Sequence, residues 1–135
     1  MAATQLTLAL AQKISAAAEA EAARNQWLVT VVILDAAGLP VCLHRMDDAA
    51  ISSMEIARQK AYSAIAFKRP TKAFEEQLAN GRIGVLRLQG VIPIEGGIPL
   101  TLADGTMIGA IGVSGVTSVQ DGQVAQAGIN ALAGT

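Results

Sequence analysis

Aromatic side chains are scarce in this chain: one Trp, one Tyr and two Phe among 135 residues. Charge of one sign is lacking too, with 10 Lys and Arg against 11 Asp and Glu. Nucleic-acid binding needs a positive footprint and, for single strands, stacking rings, so a nucleic-acid partner is not expected. The single cysteine, Cys42, leaves no internal disulfide to form, which fits a reducing, cytoplasmic setting. The single histidine, His44, rules out a multi-histidine metal centre within one chain. No apolar run reaches about 18 residues, so no membrane span is expected. The first residues, "MAATQLTLALAQK", lack the basic-then-apolar order of a signal peptide.

What the chain does have is small aliphatic residues. Hydrophobic residues make up 52% of it, and alanine dominates the helical stretches. One domain over residues 1–135 is expected, because the length suits a single core. Small side chains bury little area each, so homo-oligomers are expected to supply the remaining burial.

Residues 7–25 predict a helix, with Thr7 as N-cap, Leu6 as staple, and Ala11, Ile14, Ala18 and Ala22 along one face. The β-branched run "LVTVVIL" at 28–34 predicts a strand, and "DAAG" a turn at Gly38. "LPVCLHRM" alternates, with Val41, Leu43 and Arg45 on one face and Cys42, His44 and Met46 on the other. The second helix, "SSMEIARQKAYSAIAF", has capping-box spacing at Ser52 and Glu55 and must stop before Pro70. Thr71 is placed to cap a short third helix ending at Gly81, and residues 82–90 read as a loop. Strands are then expected around Ile92–Ile94 and Ile98–Leu102, with a third along "TMIGAIGVS" after the "ADG" turn. Ser118 and Asp121, at capping-box spacing, are expected to open the last helix. The order predicts an α+β domain with one largely antiparallel sheet of about five strands.

Four places could carry chemistry. Lys60 falls inside the apolar stripe of Ile56, Ala57, Ala64 and Phe67, where a lysine must snorkel, pair with a carboxylate or face a ligand. Arg45, followed by Asp47 and Asp48, could clamp a ligand carboxylate or close a structural salt bridge. Glu95 precedes Gly96-Gly97: the glycines could form an anion-binding nest with a proton-transferring carboxylate beside it, or a plain turn. His44 and Met46 are of the residue types that serve as axial haem ligands. Gly109, Gly112 and Gly115 on the last strand call for a close neighbour, whether helix, ligand or subunit.

Together, "VVILDAAGLPV", "RMDDA", "IARQKAYSAIAFKRPT", "IPIEGGIPL", "GTMIGAIGVSG" and "QDGQVAQAG" resemble the GlcG/HbpS family, which includes the C-terminal domain of PduO-type proteins. They run in family order over about residues 7–133. The resemblance implies a profilin-like α/β/α arrangement around an antiparallel five-stranded sheet, homo-oligomers from dimer to octamer, and haem as a candidate cofactor. The PduO-type domain uses a histidine of its N-terminal helix, and the corresponding helix here contains none. Two functions follow as expectations. One is a small-ligand or cofactor-binding protein with haem as the family-level candidate, His44 being the side chain available to ligate it. The other is a small isomerase, hydratase or deaminase acting on a carboxylated catabolic metabolite. In that reading Glu95 and Lys60 would be catalytic, with Arg45 and Lys60 holding the carboxylate and Asp47, Gly96 and Gly97 completing the binding site.

Overall fold

Thr7 starts the first helix as the sequence predicts: its hydroxyl accepts a hydrogen bond from the Leu10 N–H at 3.1 Å, and Leu6 before it is buried. The computed structural model describes residues 5–134. Its elements are α1 (Leu8–Arg24), β1 (Thr30–Asp35), β2 (Pro40–Arg45), α2 (Ser52–Phe67), α3 (Thr71–Ala79), a 3-10 turn (Ile83–Arg87) within the expected loop, β3 (Gly97–Thr101), β4 (Met107–Ser114) and α4 (Ser118–Ala133).

Three expected helix caps shift. Ser52 is itself the first helical residue of α2, and Ile51 before it has helical backbone, so no Ser52–Glu55 box forms. Glu55 turns to Arg58 instead. At α3 the capping position falls on Pro70, which leaves the buried Thr71 hydroxyl free for another partner. At α4 the capping box is Thr117 with Gln120, one residue earlier than expected. That shift releases Asp121 from the helix end.

The sheet is antiparallel with strand order β2-β1-β4-β3. It has four strands, not five, because Ile92–Ile94 stays out of the ladder. The Ile92 N–H is taken by the Ser63 hydroxyl of α2 at 2.9 Å, and Pro93 has no N–H to give. The Glu95 N–H goes to the Glu75 carboxylate of α3 at 3.3 Å. The Ile94 N–H turns back to the Ile92 carbonyl at 2.9 Å, so with its donors spent on a helix and a local turn the segment cannot pair as a strand.

Helices cover both faces. Val31, Ile33, Ile111 and Val113 pack with Ile14, Ala18 and Val124 of α1 and α4, while Val32, Leu34 and Ala110 pack with Ala57, Ala61 and Ala64 of α2. The glycines of β4 serve the second contact. A Cβ on Gly112 would run into the Ala57 carbonyl and lie 2.7 Å from the Ala61 nitrogen. The close neighbour that the glycine spacing calls for is, at Gly112, the helix α2.

Candidate functional site

Lys60 projects from α2 into the interior and is 1% exposed. Its ammonium donates to the Asp121 carboxylate of α4 and to the Val113 carbonyl of β4, each at 3.0 Å. The other Asp121 oxygen accepts the Val116 N–H at 3.1 Å. Of the three outcomes open to a lysine in an apolar stripe, pairing with a carboxylate is the one realised. Burial pushes the Asp121 carboxyl up, opposed chiefly by the Lys60 charge. One ionic group thereby joins α2, the end of β4 and the start of α4.

The Glu95-Gly96-Gly97 turn lies directly on this group. A Cβ on Gly96, where φ is +136°, would sit 2.9 Å from Lys60 Nζ. The Gly96 carbonyl accepts the Val113 N–H at 2.9 Å, and the Gly97 N–H donates to the Thr71 hydroxyl at 2.9 Å. At Gly97 a Cβ would meet the Lys60 carbonyl, so only glycine lets α2 come this close. The turn is clamped from below by α2 and from the side by α3.

Glu95 itself points outward. Its carboxyl lies against Gly122 of α4, where a Cβ would collide with it. The carboxyl oxygens have no hydrogen-bond partner among the described residues. Desolvation pushes this carboxyl up from the usual glutamate range, Lys72 pulls it down, and Glu75 and Glu76 raise it further. Around it opens a cleft of about 410 Å³, whose walls include Lys72, Gly97, Ile98, Gly122, Gln123 and Gln126. A second cleft, of about 370 Å³, lies at Arg58, Tyr62 and Gly90. There the one charged side chain, Arg58, is already held by Glu55.

The structure brings Glu95, Gly96, Gly97 and Lys60 together and leaves Arg45, Asp47 and His44 elsewhere. Arg45 pairs across the sheet with Thr30, and Thr30 with Ser114 on β4. Glu95 lies one strand further on, so about three strand spacings, roughly 14 Å, separate the two backbones. Arg45 is exposed and donates to the Ala49 carbonyl at 3.3 Å; it makes no salt bridge with Asp47, Asp48 or Glu55. Asp47 is exposed in the turn after β2. His44 faces α1, with Nδ1 2.7 Å from Glu19 Oε2 and Nε2 3.3 Å from Cys42 Sγ.

Asp121, Lys72 and Gly122 were missed in the sequence. Asp121 had a signal: with Val124, Ala125, Gly128 and Leu132 it lies on the buried stripe of α4, the same anomaly that singles out Lys60. Lys72 carries no such mark, because it lies on an exposed face of a short helix.

A single four-stranded antiparallel sheet between helix layers, with a polar cleft where β3 begins, defines this as a three-layer α+β domain. The chain belongs to the HbpS-like family: the model of "Haem degrading protein HbpS-like" matches residues 6–130. It is 41% identical to protein GlcG of Escherichia coli K12 over 109 residues, 81% of each chain. The ORFY protein of Klebsiella pneumoniae is similar in structure, with a TM-score of 0.90 at 31% identity over 100% of this chain and 95% of that one. The PduOC:heme complex is similar at a TM-score of 0.82 and 32% identity, over 93% and 94% of the two chains.

Among the described residues no helix is long and apolar enough to cross a membrane, and no group of three or more His, Cys, Asp or Glu is arranged to hold a metal ion.

Proposed function

We propose that this chain is a small-ligand-binding protein whose ligand occupies the Glu95 cleft. The observation that carries the reading is a half-buried carboxyl without a partner, at the centre of a cleft whose floor is fixed by a buried ion pair. Among the described residues every fully buried polar side-chain atom has a partner, so the unpartnered Glu95 oxygens are the ones that face the cleft's solvent. A polar group left open in a concave, preformed site is what ligand recognition requires.

Haem is the group that the family suggests, through the heme complex of a relative. The cleft does not fit it. No His, Cys, Met or Tyr lines the walls, so no usual axial ligand is present there. His44 is on the opposite edge of the sheet with both ring nitrogens facing protein groups, and Met46 packs against the core.

The raised proton affinity of Glu95 favours a second reading, in which it moves a proton on the bound ligand as a general acid or base. Lys60 then acts as a positioning group, since its ammonium is turned inward.

Crystals soaked in a library of small polar fragments test the main reading. Fragment density against Glu95 and Gly122 is the expected result. Density confined to the Tyr62 cleft, with none at Glu95, would overturn it.

A further inference from the structure

The hydrogen-bonding groups of the Glu95 cleft are unequal in kind, and this bears on what can enter it. The Gln123 Nε2 donates to Glu21 at 2.7 Å and the Gln126 Nε2 to Asn130 at 3.1 Å. Each glutamine thus spends one of its two N–H groups within the chain and keeps the other beside a carbonyl oxygen without a partner among the described residues. Glu95 adds a carboxyl whose oxygens are likewise unpartnered. Against these acceptors the one cationic donor on the walls is Lys72, and it is shared with Glu76 at 4.0 Å.

The charges point the same way. Lys60 is neutralised by Asp121 at 3.0 Å, and Arg45 lies on the far edge of the sheet. Glu75, whose carboxylate accepts the Glu95 N–H, and Glu76 are both close enough to Glu95 to raise its proton affinity. An anionic ligand would bring negative charge to the Glu95, Glu75 and Glu76 carboxylates. A cationic one would meet the Lys72 ammonium at the wall. Resting on the cleft as the ligand site, we infer that it takes a small uncharged ligand which donates hydrogen bonds through hydroxyl or amide N–H groups to Glu95, Gln123 and Gln126. This departs from the carboxylated metabolite expected from the sequence, for which the positive charges are in the wrong places.

Three probes of nearly one shape separate the cases: lactamide, uncharged; lactate, an anion; and 1-amino-2-propanol, a cation. Each is titrated into the full chain while the backbone amide resonances of Gly96, Gly97 and Gly122 are followed by NMR. Lactamide is expected to shift these resonances with a Kd about tenfold below that of either charged probe, a difference of about 1.4 kcal/mol. Glu95→Ala is expected to weaken lactamide by a similar factor while the rest of the spectrum keeps its dispersion, which shows the variant is folded. Tighter binding of lactate or of the amine at the same resonances overturns the inference and leaves the cleft as the ligand site. If none of the probes moves these three resonances, the inference and the cleft reading fall together.

Discussion

Two side-chain contacts to a carboxylate tether elements across this fold, Lys60–Asp121 between α2 and α4 and His44–Glu19 between β2 and α1, and they differ mainly in their access to water. Lys60 and Asp121 are 1% and 3% exposed at their side chains, whereas His44 and Glu19 are 45% and 30% exposed. Each charge of the inner pair has a second partner: Val113 takes a second Lys60 proton and Val116 donates to the second Asp121 oxygen. The outer pair shares its carboxylate with Ser15 at 2.6 Å. Burial makes the inner pair costly to form and costlier to break, because neither charge can turn to water once its partner is gone. The comparison shows where this chain has put its rigidity. Three elements meet at Lys60, and the Glu95 turn rests on top of them.

The sharpest way to break the comparison is to remove one inner charge. Lys60→Ala leaves the Asp121 carboxylate buried with only the Val116 N–H, and is expected to cost about 3–5 kcal/mol of stability. Urea unfolding followed by circular dichroism measures it. Lys60→Met combined with Asp121→Leu is expected to recover most of that loss, since apolar replacements need no partner. A single-variant cost below about 1 kcal/mol would mean that water reaches the pair, and that the two contacts are alike after all.

The inner pair was half legible in the sequence. Lys60 stood out because an ammonium interrupts an apolar stripe, and that anomaly is a matter of period alone. Its partner did not stand out, because Ser118 and Asp121 have the spacing of a capping box. The cap is taken by Thr117 with Gln120, a difference of one residue that turns Asp121 from helix end to core. Short-range spacing cannot separate two overlapping capping boxes, but the buried stripe through Asp121, Val124 and Ala125 can. Most strands were legible for the same reason as Lys60, in that β1, β2, β3 and β4 each show apolar alternation or β-branched runs. Ile92–Ile94 looked equally strand-like, and its exclusion depends on Ser63 taking the Ile92 N–H and Glu75 holding the N–H of the next residue, Glu95. Those contacts lie 20 or more residues away and leave no local trace. Arg45 could not be placed either, because strand order, not composition, decides which edge it occupies.

Between the two contacts in burial stands Glu95, and pH reads out its environment. Desolvation raises its folded-state proton affinity above the ordinary value of 4.5, so the folded chain binds this proton more tightly than the unfolded one. The stability it contributes is full below the unfolded value and is lost as pH rises from there through the folded value. Above that window the native state carries a partly desolvated carboxylate. Glu95→Gln removes the charge but keeps the shape. Its stability relative to the parent is therefore expected to improve as pH rises from 4.5 through the raised folded value. Paired urea titrations measure the change, and a carboxyl-carbon NMR titration of Glu95 should give a midpoint above 4.5. A parent–variant difference that does not vary with pH would place Glu95 in free solvent, like the outer pair.

The smallest effect belongs to His44. His44→Ala removes the contacts to Glu19 and to the Cys42 thiol, yet water can take up the carboxylate that is left. The expected cost is about 0.2–1 kcal/mol, the range of an exposed pair. Fragment density at Glu95 is expected to be unchanged, because His44 and the cleft are on opposite edges of the sheet and share no hydrogen-bond partner among those described. A loss above about 2 kcal/mol would show that the outer contact also holds a helix in place. Loss of ligand from the Glu95 cleft on this substitution would do more: it would show that the α1 side of β2 and the start of β3 are linked, and that rigidity in this fold is not confined to the junction under Gly96.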